Sequence, residues 1–226
     1  MKEFVKKIPV IGFILTKLVR LVKGHYGFSG SQYWENRYAS GDNSGPGSYG
    51  RLAHFKAEVI NSFVFNNNIR SVIEFGCGDG HQLSLALYPG YTGLDVSVSA
   101  IEICKKKFKN DLAKTFILYK PNRKRISSLK ADLALSLDVI FHLVENQIFE
   151  IYMEDLFQSA ERYVIVYSSN VGGMQNHHER TRHITSWIEK FIKGWALIEV
   201  IQNPYPYDAH NPTNTSNSDF FIYGHL

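Results

Sequence analysis

Apolar residues along this chain follow two alternating rhythms. Short, near-continuous runs occur at Val72–Phe75, Tyr91–Asp95, Thr115–Tyr119, from Ala131 to an exit at His142, and at Tyr163–Tyr167. Runs of this length and continuity read as strands buried on both faces of a parallel sheet. Between them, apolar positions recur at three- and four-residue spacing. Helices are predicted over Arg51–Asn66 (core positions Phe55, Val59, Ile60 and Phe63), His81–Leu87, from an N-cap at Ser97 to about Lys109, Glu145–Phe157 and Ile184–Lys193. Trp195–Ile201 and Asp219–Tyr223 predict two last strands, joined by a Pro/Asn/Asp-rich loop. The predicted fold class is α/β: a doubly wound, mostly parallel seven-stranded sheet with extra N-terminal helices.

Residues 1–24 carry a different pattern. On a helical wheel Phe4, Ile8, Ile11, Leu15, Leu18 and Val22 share one face, with Lys2, Lys6, Lys17 and Arg20 opposite, and Val10 and Phe13 off the stripe. This predicts a basic amphipathic helix starting near Pro9. Lys17 interrupts the apolar run and no small-residue cleavage site follows, so a signal peptide is not expected, and the run is too short to span a bilayer. Such a helix either lies on an anionic membrane surface or packs on the body or a second subunit, leaving monomer and dimer both open. Residues 25–226 form the main domain, with 25–51 as a lid region: Gln32–Tyr38 reads as a short helix, and Gly41–Gly50 is too rich in Gly and Pro for regular structure.

The first strand runs into Gly76-Cys77-Gly78-Asp79-Gly80, a turn in which glycine allows positive φ and close approach of a ligand. A dinucleotide fingerprint, G-x-G-x-x-G, would need glycine at His81. The observed Glu74-x-Gly76-x-Gly78-x-Gly80 instead resembles the first motif of the Rossmann-like (class I) S-adenosylmethionine-dependent methyltransferases. Asp95, ending the second strand, stands where that family's acid binds the ribose diol. The resemblance implies that fold with its antiparallel C-terminal strand, S-adenosylmethionine as cofactor and S-adenosylhomocysteine as product. It implies cofactor contacts from Glu74, Gly76, Cys77, Gly78, Gly80, Asp95 and Val96, with Asp138 facing the sulfonium, Tyr33 in the lid region, and Arg51 holding the carboxylate. After the third strand the family often has an acid for the adenine amine; this chain has Lys120-Pro121-Asn122.

Charge narrows the acceptor. The net charge is +4, yet residues 1–24 hold six Lys/Arg and one acid, leaving nineteen bases against twenty acids in the rest. A body without basic excess is not expected to bind nucleic acid. With two cysteines, Cys77 and Cys104, no disulfide framework is expected, which suits a reducing, cytoplasmic setting. Hydrophobic content of 44% and charged content of 20% are those of a soluble globular protein.

Methyl transfer to a hydroxyl needs a general base; transfer to an amine needs a weaker one. The candidate bases are Asp138 and His142 beyond the fourth strand, and His177 and His178 beyond the fifth. No zinc-ligand spacing is present and no metal is expected. Tyr49 in the lid and the pair Arg180 and Arg182 are candidate acceptor contacts, the arginines suited to an anionic group. The runs Tyr33-Trp34-x-x-Arg37-Tyr38, Gly45-x-Gly47-Ser48-Tyr49-Gly50-Arg51-Leu52 and Asp138-Val139-Ile140-x-His142-Leu143-Val144-Glu145 look like a bacterial methyltransferase group that accompanies surface-polysaccharide and capsule genes. This implies a sugar or sugar-linked acceptor, met in the cytoplasm or at the inner membrane face through residues 1–24. The alternatives are an N-methyltransferase of a small amine or phosphate-bearing metabolite, or a non-catalytic S-adenosylmethionine-binding protein.

Overall fold

The computed structural model describes residues 29–121, 128–173 and 178–226. The expected N-terminal helix, the basic turn at 122–125 and His177 lie outside them.

The seven strands are β1 (Val72–Phe75), β2 (Tyr91–Asp95), β3 (Lys114–Leu118), β4 (Ala131–Leu137), β5 (Ala160–Ser168), β6 (Trp195–Ile201) and β7 (Asp219–His225). They form one sheet in the order β3-β2-β1-β4-β5-β7-β6. The first five are mutually parallel, and β7 runs antiparallel to both β5 and β6. Strand order reverses between β1 and β4, the switch point beyond whose carboxyl ends an open α/β sheet binds its ligand.

Strand alternation divides the core. Leu133, Leu135, Ile165, Tyr167, Phe220 and Ile222 face one side, under Ile60 and Val64 of helix α2 (Gly50–Asn66). Ala134, Val164, Val166, Phe221 and Tyr223 face the other, under Phe149, Met153 and Leu156 of α4 (Asn146–Gln158) and Ile184 and Ile188 of α5 (Ile184–Phe191). At the sheet edge, β6 leaves Leu197, Ile198 and Val200 exposed, with Glu199 among them. A charge there guards an edge strand against pairing with other chains. Among the described residues no helix is long and apolar enough to cross a membrane.

The expected helix after β1 is corrected. Only a 3-10 turn forms, Gln82–Leu85, and Ala86 is already extended at ψ 146°. The Ser84 hydroxyl bonds back to the His81 carbonyl, which competes with helix propagation, and Pro89 and Gly90 follow closely. On α2, Phe55, Val59 and Phe63 are only partly buried; the fully buried face is Leu52, Ala53, Lys56, Ala57, Ile60 and Val64.

Helix α1 (Gly30–Ala39) is held in place by the cap it supplies to another helix. Glu35 accepts hydrogen bonds from Ser97 Oγ (2.7 Å), Ser99 N (3.1 Å) and Ser99 Oγ (2.7 Å) at the start of α3 (Val98–Lys107). Ser97 Oγ accepts in turn from Ala100 N at 3.0 Å. A carboxylate at this helix N-terminus also meets the positive end of the α3 dipole. Replacing Glu35 by Ala should remove about 1–2 kcal/mol of local stability, on the scale of a lost cap. Hydrogen exchange should show amides of Gly30–Ala39 opening about tenfold faster, with the central strands unchanged.

Candidate active site

One cavity of about 1290 Å³ lies at the carboxyl ends of β1, β2, β3 and β4. Its wall takes Glu74, Gly76, Cys77 and Gly78 from the first turn, Asp95 and Val96 from the second, Tyr119–Pro121 beyond β3, and Asp138, His142 and His178 beyond β4 and β5. Tyr33, Trp34 and Tyr38 of α1 roof it, and Thr215–Ser218 from the loop before β7 line its far end.

The glycines follow from both φ and space. Gly76, Gly78 and Gly80 have φ of 90°, 55° and 68°. A Cβ on Gly76 would lie 2.4 Å from Val139 Cγ2, and one on Gly78 2.4 Å from Ser44 Oγ. Gly80 faces Phe108 and is not in the cavity wall. The turn therefore owes its composition to neighbouring chain as well as to any ligand. Cys77 is buried, and a hydrogen bond with Cys104 together with burial pushes its thiol up.

Asp95 accepts Gly78 N on one oxygen and Ser97 N on the other, both at 2.9 Å. A carboxylate has about four acceptor sites, so Asp95 keeps capacity for a further hydroxyl donor. Burial raises Asp95 from 3.8 to about 6 against the backbone N–H groups of Ser97, Gly78 and Val96. Glu74 is buried too and accepts Tyr91 OH at 2.6 Å. Burial lifts it to about 7, opposed by Tyr91 and the charge of Lys56 and aided by Asp95.

Asp79, in the same turn, behaves oppositely. Burial pushes it up, but Ser44 N (2.9 Å), His81 N (2.8 Å) and Tyr49 OH (2.8 Å) outweigh that and hold it below its ordinary value. Ser44 Oγ accepts Asp79 N in return at 3.0 Å and pairs with Tyr38 OH. This anchors the Gly41–Gly50 loop over the glycine-turn end of the cavity. Tyr49 is thereby committed to Asp79, its ring stacked on His81 at 4.0 Å, and it lies outside the cavity wall.

Three other expected contacts also point elsewhere. Arg51 donates to Asn214 O at 2.6 Å and covers the Tyr205 ring at 4.2 Å, pinning the loop before β7. Arg180 donates to Val144 O; Arg182 donates to Val144 O, Arg180 O and Asn146 Oδ1 and sits 4.4 Å over Phe149. Burial, then Arg180, lowers Arg182 to about 10. Both arginines brace the turn after β4 and lie outside the cavity wall.

Asp138 adopts φ +58°, a left-handed conformation that non-glycine residues rarely take. Three bonds impose it: its N–H to Tyr167 O (2.9 Å), Lys56 Nζ to Oδ2 (2.7 Å) and Ser218 Oγ to Oδ1 (3.1 Å). Beside it, His142 and His178 stack at 6.1 Å, His178 stacks on Tyr33 at 5.5 Å, and Trp34 meets His142 edge-on at 5.0 Å. His142 Nδ1 lies 3.3 Å from the His178 carbonyl. A carbonyl can only accept, so Nδ1 carries the proton and Nε2 is left as the basic nitrogen. Burial lowers the His142 pKa, keeping the ring neutral near pH 7. Among the described residues no group of three or more His, Cys, Asp or Glu converges as a metal site.

Lys56, Asp79, Glu35 and Ser218 were not foreseen. Lys56 had a legible signal: it occupies the i+3/i+4 stripe of Leu52, Ala53, Ile60 and Val64.

No protein-family model matches the chain, and no curated protein matches it. Solved structures do. Magnesium protoporphyrin IX methyltransferase (ChlM) of Synechocystis PCC 6803 with bound SAM aligns at TM-score 0.61 and 15% identity, over 89% of this chain and 100% of that one. The methyltransferase domain of a bacterial Hen1 (CtHen1-C) aligns at TM-score 0.59 and 22% identity, over 75% and 96%. A TehB-like SAM-dependent methyltransferase of Corynebacterium glutamicum aligns at TM-score 0.55 and 14% identity, over 87% and 96%. The fold of this chain is that of the class I methyltransferases.

Glu74 and Asp95 both have folded-state pKa values above their ordinary ones. The folded state thus holds more protons than the unfolded chain between about pH 4 and 7, and ligand-free stability falls as pH rises through that window. Glu74→Gln removes the larger contribution. Its urea midpoint should match wild type at pH 4 and exceed it at pH 8 by the equivalent of about 2–3 kcal/mol; an equal difference at both pH values would contradict the raised pKa.

Proposed function

We propose that this chain is an S-adenosylmethionine-dependent methyltransferase acting on a hydroxyl of a small polar acceptor, with His142 as general base. The observation that carries this reading is the shared cavity: the buried Asp95 carboxylate lines one end, and a neutral, oriented His142 lines the other.

The wall fits the cofactor. Asp95 would hold the ribose diol, Val96 and Tyr119 would flank the base, and the backbone of Gly76 and Gly78 would leave room for the chain toward Asp138. The cofactor supplies an electrophilic methyl group on a sulfonium, itself a good leaving group. The protein's part is alignment, exclusion of water, and removal of the acceptor's proton. Between the two candidate bases the surroundings decide. Asp138 is ion-paired with Lys56 at 2.7 Å and accepts from Ser218, so taking a proton would break the pair. His142 is neutral, fixed in one tautomer and packed against Trp34, so Nε2 can take a proton without breaking an ion pair.

The neighbouring structures share the fold but are named for other acceptors or for none, and lend no support to a sugar. A sugar or sugar-linked acceptor rests on the sequence resemblance alone. The same holds for a place in polysaccharide biosynthesis. A small acceptor rather than a nucleic acid accords with the body's lack of basic excess.

A mass-read screen of hydroxylated and amine acceptors supplies the assay. With an acceptor in hand, His142→Ala should lower kcat ~10²–10³-fold while leaving cofactor affinity within a factor of about two. Because burial depresses the His142 pKa, wild-type kcat should be flat at neutral pH and fall only below about pH 6.5, and the variant should lose that acid limb. Unchanged turnover in His142→Ala would remove it as the base.

A further inference from the structure

We propose that this chain works with the mouth of its cavity against an anionic lipid surface, residues 1–24 lying on the same surface beside it. The acceptor is then an amphiphile whose hydroxyl-bearing head enters from the bilayer. The chemistry of that acceptor rests on the reading above. The docking surface stands on two separate observations.

The first is where the basic segment joins the body. Residues 1–24 carry six Lys/Arg against one acid, with Phe4, Ile8, Ile11, Leu15, Leu18 and Val22 on one expected face. Ser29 is the N-cap of α1, and Ser29, Gly30 and Ser31 all line the cavity. Five residues separate Gly24 from Ser29 in number, so the segment ends within ~18 Å of the cavity wall even along a fully extended link.

The second is the composition of the rim. Val171 and Tyr207 line the cavity yet are 55% and 52% exposed, so they stand at its opening. Pro212 is exposed beside them, and Lys120 offsets Glu145, the exposed acid of the same wall. Large apolar side chains around an opening mark a surface that a partner covers. Tyrosine suits the boundary between hydrocarbon and water. The competing apolar surface, Leu197, Ile198 and Val200 of β6, contains Glu199, which an anionic surface repels. It also lies at the sheet edge remote from α1, which is tied to α3 after β2.

Charge and apolar pattern together select the partner. Each Lys or Arg held near anionic headgroups raises partition about fivefold, and an apolar stripe enters the boundary beneath them. A nucleic acid would engage the cations and leave the stripe in water. A bilayer takes both. His142 lines the same cavity, so a head group entering at the rim meets the base.

Flotation of the full chain with vesicles tests the docking without turnover. It should rise with vesicles of equal parts phosphatidylcholine and phosphatidylglycerol at least about tenfold more than with phosphatidylcholine alone, and high salt should reverse this. Lys6→Glu/Lys17→Glu/Arg20→Glu should abolish the preference and leave S-adenosylhomocysteine binding, read by calorimetry, within about twofold. Orientation is read with a polarity-sensitive thiol dye on Val171→Cys and on Leu112→Cys, the native Cys77 and Cys104 being buried. Leu112 is 97% exposed and precedes β3, at the end of the sheet away from the cavity. On anionic vesicles the Val171 label should shift to the blue and the Leu112 label should not. No flotation, or a shift for the Leu112 label without one for Val171, overturns the inference and leaves the cofactor reading standing. Salt-sensitive retention of a short single-stranded RNA without vesicle binding does the same. Vesicle binding by a chain that takes no S-adenosylhomocysteine overturns the cofactor reading and, with it, the acceptor inferred here.

Discussion

The ion pair between Lys56 and Asp138 is the constraint on which the site's architecture turns. It joins α2 to the end of β4, and through Ser218 it reaches the start of β7. It also dictates composition at a distance: a Cβ on Gly47 would lie 2.9 Å from Asp138 Oδ2, so the loop passing overhead must be glycine there. A buried pair of this kind adds little net stability over an apolar substitute, but removing one partner strands the other charge. Its value is geometric. It holds Asp138 in its left-handed conformation, and so fixes the floor between the Asp95 and His142 ends of the cavity.

The three acids nearest the glycine turn show how surroundings divide one chemistry into separate roles. Glu74 and Asp95 are buried with few donors and become reluctant anions. Asp79 is buried as well but receives three donors from the loop and turn, and becomes a firm one. The firm anion organises the protein's own loop. The reluctant ones face the cavity, where a cationic or hydroxyl-rich ligand would restore what burial took away.

How much of this was legible in the sequence depended on the range of the interactions involved. Strand runs, the Ser97 cap and the glycine turn are local, and each is set by a few consecutive residues; all seven strands were placed from them. The helix expected after β1 failed because Ser84 and Pro89 outweigh a weak apolar period over so short a span. Arg51, Tyr49, Arg180 and Arg182 had the right chemistry for ligands, but backbone carbonyls and one carboxylate from distant loops claimed them first. Such competition depends on which loops meet, and the spacing of residues along the chain does not record it. Lys56 is the instructive case: a lysine on an apolar stripe was visible, and only its partner 82 positions away was not.

The order β5-β7-β6 places a strand made later inside one made earlier. Until β7 has docked against β5, β6 has no neighbour in the sheet, so this edge assembles by non-local pairing, the slow kind. The loop that β7 draws in behind it carries Thr215–Ser218, the far wall of the cavity and one of the three ties on Asp138. A chain folded through β5 alone would have its glycine turn and Asp95 in place, yet no closed site. Competence for chemistry is thus an endpoint of folding, reached only when the last strand is home.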